Sequence, residues 1–306
     1  MSNHPVADIA TASRDLITVR DCLRYAVSRF TAENLFFGHG CDNAYDEAAW
    51  IILHTLSLPL DRLEPFLDAR LLPQERVRVL TLIERRTTEH IPAAYLTQEA
   101  WLGEYRFYCD ERVIVPRSYF AELLEEGFAP WVQDPDHITR ALDLCTGSAC
   151  LAILMAIHFP NAVVDAIDLS PDALEVARRN IADYQLEDHV RAIQSDLFDA
   201  VPGERYDLII SNPPYVTDDA MRELPAEYRF EPSLALGAGE DGLDIVRRIL
   251  AQARGHLNPG GMIAIEVGHN RPLVEAAFPH LPLTWLSTRT KDDAVFLVHR
   301  EDLPTA

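Results

Sequence analysis

Over roughly the first 95 residues, apolar positions recur at helical spacing. Leu16, Val19, Leu23, Ala26, Val27 and Phe30 share one face, which predicts a helix over 16–35. A second helix is expected over 42–58, with Asp42 or Asn43 as its cap and Pro59 beyond its end. A third is expected over 73–89, where Pro73 suits the first turn and Val77, Leu80, Ile83 and Thr87 line one side. Residues 1 to about 13 read as a loose tail. Packing of these apolar faces on one another accounts for them, so this module needs no cofactor.

From 99 to 115 the pattern turns to β-type, punctuated by Trp101, Tyr105, Phe107, Val113 and Val115, with a turn at Asp110 and Glu111. This predicts a hairpin joining two domains. Pro116, Arg117 and Ser118 end it, and Ser118 caps a helix over 118–131. After a polar connection at 134–137, strands and helices alternate. Strands are expected at 139–144, 163–167, 190–194, 206–211, 262–267, 284–287 and 294–299. Helices are expected at 150–158, 171–184, 243–256 and 271–278. Such alternation predicts an α/β fold with a doubly wound, mostly parallel seven-stranded sheet. The last two strands have no helix between them and should pair antiparallel. The expected domains are therefore 1–97 (helical), 98–117 (hairpin linker) and 118–306 (sheet).

Composition narrows the functional classes. A chain of 306 residues, 48% hydrophobic and 25% charged, suits two globular domains. No apolar run approaches the ~20 residues needed to span a bilayer, and residues 1–14 lack a secretory core, so a cytoplasmic protein is expected. The five cysteines (Cys22, Cys41, Cys109, Cys145, Cys150) are odd in number and form no C-x-x-C pair. Free thiols are expected, with neither a metal site nor a disulfide framework. The net charge is −21, Lys291 is the sole lysine, and the arginines form no stripe. That charge disfavours broad contact with nucleic acid and favours a basic protein or a small molecule.

The chemistry sits at the ends of the predicted strands. The apolar run Leu208-Ile209-Ile210-Ser211 stops at Asn212-Pro213-Pro214-Tyr215. In an open α/β sheet the carboxyl ends of the strands bind ligands. The two prolines fix the backbone into a stiff turn. Its carbonyls and the Asn212 side chain would form a preorganised acceptor for an –NH2 group, with Tyr215 able to cover that group's flat face. Earlier, the strand at 139–144 runs through Asp143 into Cys145-Thr146-Gly147-Ser148-Ala149 and a helix. Asp168 ends the next strand, where an acid can hold two ribose hydroxyls or cap the helix beginning near Pro171. Asp196 and Leu197 follow the third strand, beside the position of a base, and Asp196 there can accept from an adenine amino group or serve its own loop. Asp143 can be a satisfied buried carboxylate or meet a ligand's cationic end. One glycine in the loop does not make a pyrophosphate fingerprint. Ribose without phosphates points to S-adenosyl-L-methionine.

This order of motifs resembles the class I methyltransferases that methylate the side-chain amide of glutamine. Asp-Leu-Cys-Thr-Gly-Ser, Ala-Ile-Asp-Leu-Ser, Ser-Asp-Leu-Phe and Ser-Asn-Pro-Pro-Tyr carry the resemblance, along with Val115-Pro116-Arg117-Ser118 and Glu231-Pro232. Cys145 with Glu227-Tyr228-Arg229 is most similar to the branch acting on large-subunit ribosomal protein L-three. The sister branch acts on peptide release factors and usually has Gly at the position of Cys145. The resemblance implies that the helical domain recognises substrate and that Thr146, Gly147, Ser148 and Ala149 border the methionine part of the cofactor. It also implies that Asp168 holds the ribose, that Asp196 and Leu197 flank the adenine, and that Asn212 to Tyr215 bind the target glutamine. The family loop usually reads Gly-Ser-Gly where this chain has Gly147-Ser148-Ala149. If that last position needs positive φ, alanine costs about 1 kcal/mol or more; if it needs only a small residue, alanine is harmless. Arg117 is expected in a surface or interdomain ion pair. Alternative substrates are a release factor, or an exocyclic base amine in nucleic acid, which poses the same chemical problem.

Overall fold

The computed structural model describes residues 9–305. The tail read at 1–13 lies outside the described residues as far as residue 8. From Ile9 to Asp15 the chain is instead helix α1, with Ala12 buried. The chain forms two compact units. One runs to Glu99 and takes in Pro225–Phe230; the other comprises Ala100–Leu224 and the chain from Glu231 onward.

The helix expected over 16–35 is shorter: α2 spans Val19–Ala32. Thr18 starts it with a capping box, its Oγ1 accepting from Asp21 N while Asp21 Oδ2 accepts from Thr18 N. That cap holds Thr18 extended (φ −112°, ψ 163°), so the helix cannot run back to Leu16. Helix α3 (Ala44–Thr55) is capped by Asn43, and α4 (Pro73–Glu89) carries proline in its first turn. Helix α5 (Ala93–Thr97) is too short to show periodicity in sequence. Val19, Leu23, Phe30, Ile51, Ile52, Leu80 and Ile83 form the core. Pro225–Phe230 joins this unit through the buried Glu227, which accepts from Phe36 N (3.0 Å) and Arg86 Nη1 (3.2 Å). Arg86 itself is buried and also donates to Glu47 at 2.6 Å. No periodicity reports this detached piece.

In the second unit, β1 (Ala100–Leu102) and β2 (Tyr105–Phe107) form the hairpin, turning at Gly103. Leu102 and Phe107 are buried in the core under one face of the main sheet, so the hairpin belongs to this unit rather than standing as a linker over 98–117. Val113 and Val115 are buried but lie outside any strand. Helix α6 (Phe120–Glu125) is shorter than the expected 118–131, because Gly127 and Phe128 take φ of +61° and +57°.

The main sheet follows with β3 (Arg140–Leu144), α7 (Cys150–His158), β4 (Val163–Asp168), α8 (Pro171–Asp183), β5 (Val190–Gln194) and β6 (Tyr206–Ser211). It is completed by α9 (Asp218–Glu223), α10 (Asp244–Ala253), β7 (Leu257–Glu266), α11 (Arg271–Ala277), β8 (Thr284–Ser287) and β9 (Asp292–His299). The strand order is β5-β4-β3-β6-β7-β9-β8, parallel except for β9, which runs antiparallel to both its neighbours. Alternate residues feed two cores: Leu208 and Ile210 one, Ile209 the other. β7 begins before the expected Met262 because Leu257 already pairs with Tyr206.

Register builds the functional edge. Leu144 pairs with Ile167 and with Ser211, and Ser211 with Ile265. The next residues on these strands are therefore in one row: Asp168, Cys145, Asn212 and Glu266. β3 and β6 are neighbours whose following connections lead to opposite sides of the sheet, the switch point where such folds take ligands.

Candidate active site

A cleft of about 860 Å³, continuous with solvent, opens at that edge. Cys145, Gly147, Asp168, Asp196, Leu197, Asn212 and Pro214 all line it, so four of the separate sequence motifs converge on one space.

The loop after β3 alternates through the left-handed region. Cys145, Gly147 and Ala149 have φ of 62°, 55° and 62°. The Ala149 position therefore needs positive φ, and alanine meets the strain there. Gly147 lines the cleft and donates its N–H to Asp168 Oδ2 at 2.8 Å. Thr146, Ser148 and Ala149 are buried behind it. Thr146 Oγ1 donates to Asp143 Oδ2 at 2.6 Å, and Ser148 O accepts from Asn180 Nδ2. Burial pushes the Cys145 thiol well above its usual range, so it stays neutral.

Asp143 is 1% exposed. Its Oδ2 also accepts from Ala152 N, but Oδ1 is buried without a hydrogen-bond partner. Burial raises its pKa to about 7, against the pull of the Thr146 hydroxyl and the Ala152 amide. A buried acceptor lacking a donor is costly, and the donor it lacks is one a ligand can bring. Asp168 accepts from Gly147 N and, through Oδ1, from Ser170 N at 2.9 Å. Each oxygen keeps a lone pair for a hydroxyl. Burial raises its pKa, opposed by these backbone N–H groups. The cap of α8 is Ser170, not Asp168. Asp196 pairs with Arg248 at 2.8 Å, and Leu197 sits largely buried at φ 51°.

At the β6 end, Asn212 and Pro214 face the cleft while Pro213 is buried. Asn212 Nδ2 lies 3.4 Å from Arg117 O. Tyr215 is not among the lining residues. Its carbonyl accepts from Asn270 Nδ2 at 2.7 Å, and its ring lies where a Cβ on Gly268 would come within 2.9 Å. A Cβ on Gly242 would come within 2.4 Å of the Tyr215 carbonyl, so both glycines make room for this residue. Arg117 is in an ion pair, but with a buried partner in its own unit rather than at the surface or between domains: its guanidinium donates to Glu231 at 2.5 and 2.6 Å.

Sequence reasoning missed part of the lining. Arg112, Val113 and Ile114 come from the stretch after the hairpin, Leu234 and Ala235 from a short turn, and Ile245 and Arg248 from α10. Leu234, 55% exposed, is the one with a surface signal of its own. Among the described residues no cluster could hold a metal ion.

S-adenosylmethionine fits this residue set. Its ribose hydroxyls match Asp168 and its flat base matches the apolar walls of Ile167, Leu169, Leu197 and Ile245; Asp143 does not line the cleft, and its unpartnered Oδ1, buried behind the lining, is the acceptor that an ammonium reaching past the lining would meet.

Comparison with known proteins agrees. The family described as methyltransferase small domain matches residues 128–228. The ribosomal protein uL3 glutamine methyltransferase of Neisseria meningitidis serogroup A is 59% identical over 292 residues, covering 95% of this chain and 96% of that protein. The protein of that name from Bordetella pertussis is 58% identical, covering 95% and 98%. The Burkholderia pseudomallei one is 55% identical over 303 residues, covering 97% and 99%. Among solved structures, the hMettl16 catalytic domain in complex with a 3'UTR hairpin overlays with a TM-score of 0.50 at 15% identity, covering 76% of this chain and 84% of that one. That likeness concerns the fold alone.

Proposed function

The chain belongs to the family of the ribosomal protein uL3 glutamine methyltransferases, and we propose that it transfers a methyl group from S-adenosylmethionine to the side-chain amide nitrogen of a glutamine in ribosomal protein uL3. The observation that carries the chemistry is Asn212, held at the end of β6 in the same cleft as Asp168 and Gly147. The donor supplies an electrophilic methyl group on a sulfonium. The protein's task is then positioning. Asp168 would hold the ribose and Asp143 the ammonium.

An amide nitrogen is a poor nucleophile because its lone pair is delocalised into the carbonyl. Asn212 Oδ1 and the Pro213 carbonyl would accept from the target –NH2. Both favour positive charge developing on nitrogen and free its lone pair for the methyl group. Such contacts strengthen in the transition state, where binding accelerates chemistry. No strong base is needed, because the methylated cationic nitrogen is acidic and loses its proton afterwards. Tyr215 lies outside the cleft lining, and its part is to anchor the turn after β6, its ring against Gly268 and its carbonyl accepting from Asn270.

The helical unit would recognise the substrate. A basic ribosomal protein suits a chain of net charge −21 through electrostatic attraction. The setting would be the cytoplasm; no helix among the described residues is long and apolar enough to cross a membrane.

The test is methyl transfer from labelled donor to purified uL3, a peptide release factor, and single- and double-stranded nucleic acid, with mass spectrometry locating the label. One methylated glutamine on uL3 is expected. Label on the release factor alone would keep the chemistry and overturn the substrate. Label on nucleic acid alone would overturn both. Asn212→Ala should abolish transfer and leave donor affinity within about threefold, since its role is in the transition state.

A further inference from the structure

Resting on that assignment of Asn212, we infer that Glu231 and Glu266 are positioning residues that clamp segment 115–119 between them and so decide which way round the Asn212 amide lies. Glu231 holds one end of the segment. Its Oε1 accepts from Val115 N at 3.0 Å and Arg117 Nη1 at 2.5 Å, and its Oε2 from Arg117 Nη2 at 2.6 Å. Glu266 holds the other end. Its Oε2 accepts from Ser118 Oγ at 2.5 Å and Tyr119 N at 3.0 Å. Between these anchors lies the carbonyl of Arg117, 3.4 Å from Asn212 Nδ2.

The consequence is geometric. A planar amide has its oxygen and nitrogen on opposite sides. With Nδ2 turned to the Arg117 carbonyl, Oδ1 is the atom left to accept from a target –NH2. Turned over, Oδ1 would face the Arg117 oxygen, acceptor against acceptor, and Nδ2 would face the target, donor against donor. The flipped form cannot bind the substrate amide productively.

Both glutamates are set back from the chemistry. Neither lines the cleft. The Glu231 side chain is fully buried, and Glu266 is 2% exposed. Two buried carboxylates are costly to keep, and a buried ion pair is weak support for stability. Here their hydrogen bonds converge on five consecutive residues, whose central carbonyl meets the proposed catalytic side chain. Glu266 also occupies the β7 position beside Asn212, by the register of Ile265 with Ser211.

The experiment uses the full chain with Glu231→Gln and Ser118→Ala, one variant for each end of the clamp, made in the native and Asn212→Asp backgrounds. A carboxylate offers an oxygen in either orientation, so Asn212→Asp removes the need for orientation. In the native background each clamp variant should lower kcat on uL3 at least tenfold, with donor Kd within twofold. In the Asn212→Asp background each should lower kcat less than twofold. Equal losses in both backgrounds would mean general damage and overturn the clamp. A second readout needs no turnover. With ¹⁵N-asparagine labelling, the two Asn212 Nδ2 protons, identified by their loss in Asn212→Asp, should be distinct and slow to exchange in the native protein. They should exchange at least tenfold faster in Glu231→Gln. Unchanged signals in both variants would also overturn the clamp. If the native protein methylates no substrate, the activity assignment fails on its own and the spectrum still decides the clamp.

Discussion

Lowering the pH from 7 to 5 should weaken binding of the methyl donor, with Asp143 carrying the larger part and Asp168 adding to it. The Oδ1 of Asp143 is buried with no donor, and burial places the Asp143 pKa at about 7 instead of the ordinary 3.8. At about 1.4 kcal/mol for each pH unit, the anion carries roughly 4 kcal/mol of unfavourable burial in the free protein. An ammonium against Oδ1 relieves part of that, so the donor binds the anionic form. With a pKa of about 7, the apparent Kd scales as one plus the protonated-to-ionised ratio, or about 2 at pH 7, 11 at pH 6 and 100 at pH 5. Affinity should therefore fall about fivefold from pH 7 to 6 and about fiftyfold from pH 7 to 5. The ligand's own amine titrates near 8, so the window to use lies below pH 7. The sign for stability is the reverse. A carboxyl whose folded pKa is raised contributes stability below its unfolded pKa, and that contribution is lost as pH rises through about 7. The free protein should soften from pH 5 to 8 while the thermal shift given by the donor grows. Calorimetry in buffers of differing ionisation enthalpy reads both affinity and proton release, which should be about 0.9 per site at pH 6. Asp143→Asn should bind more weakly at pH 7 and with a much shallower profile from 5 to 7, Asp168 being the carboxyl left to titrate. A flat native profile, or the native slope persisting in Asp143→Asn, would refute this reasoning.

Glu266 gives a stability test of the same sign. Burial raises it to about 7, and its Oε2 contacts with Ser118 and Tyr119 can be kept by a glutamine oxygen. Glu266→Gln should stabilise the protein by roughly 3 kcal/mol or less at pH 8, by less than about 1 kcal/mol at pH 5 and by nothing below about pH 4, measured by urea denaturation; a gain independent of pH would count against the buried anion. Glu227→Ala leaves Phe36 N–H without its acceptor and Arg86 with Glu47 and the Phe36 carbonyl alone. Breaking a buried pair typically costs about 3–5 kcal/mol, so with one carboxylate retained the helical unit should lose about 2–4. Trp50 fluorescence in urea follows it, and a loss below about 1 kcal/mol would show that Glu227 is not the anchor of its segment. Ala149→Gly relieves about 1–2 kcal/mol of left-handed strain but gives up about 0.8 for a buried methyl and about 0.4–1 of chain entropy. The expected change is within about 1 kcal/mol of zero, and a gain above 2 would mean the strain is larger than φ alone implies.

The sheet and the membership of the site were legible because each signal was local. A buried strand demands an apolar run, and the residue that ends the run is placed at the sheet edge by chain direction alone. That is why Asp168, Asp196 and Asn212 could be assigned to one cleft before any coordinates, and why all three line it. What escaped was set by partners distant in sequence. Nothing near Arg117 announces Glu231, 114 residues on, and nothing near Glu266 announces Ser118, 148 residues back. The break before α2 is different: Thr18 and Asp21 stand at capping-box spacing in the sequence, but the apolar run through Leu16 outweighed them.

The loop after β3 shows a third kind of gap, in which local sequence understates local geometry. Positive φ is usually announced by glycine, and Gly147 is the loop's only one. Yet Cys145 and Ala149 adopt the same left-handed backbone on either side of it. The structure supplies the reason that such residues are tolerated. Thr146 N donates to Ile167 O at 2.9 Å and Ala149 N to Thr146 O at 2.9 Å, while the Thr146 side chain is tied to Asp143 and Gly147 N to Asp168. Four hydrogen bonds thus determine the path of five residues, and the two carboxylates that accept two of them are the ones assigned to the donor's ammonium and ribose. The backbone strain at Cys145 and Ala149 is held in place by the same groups that the ligand would use, so loop conformation and donor binding are coupled through Asp143 and Asp168 rather than through glycine.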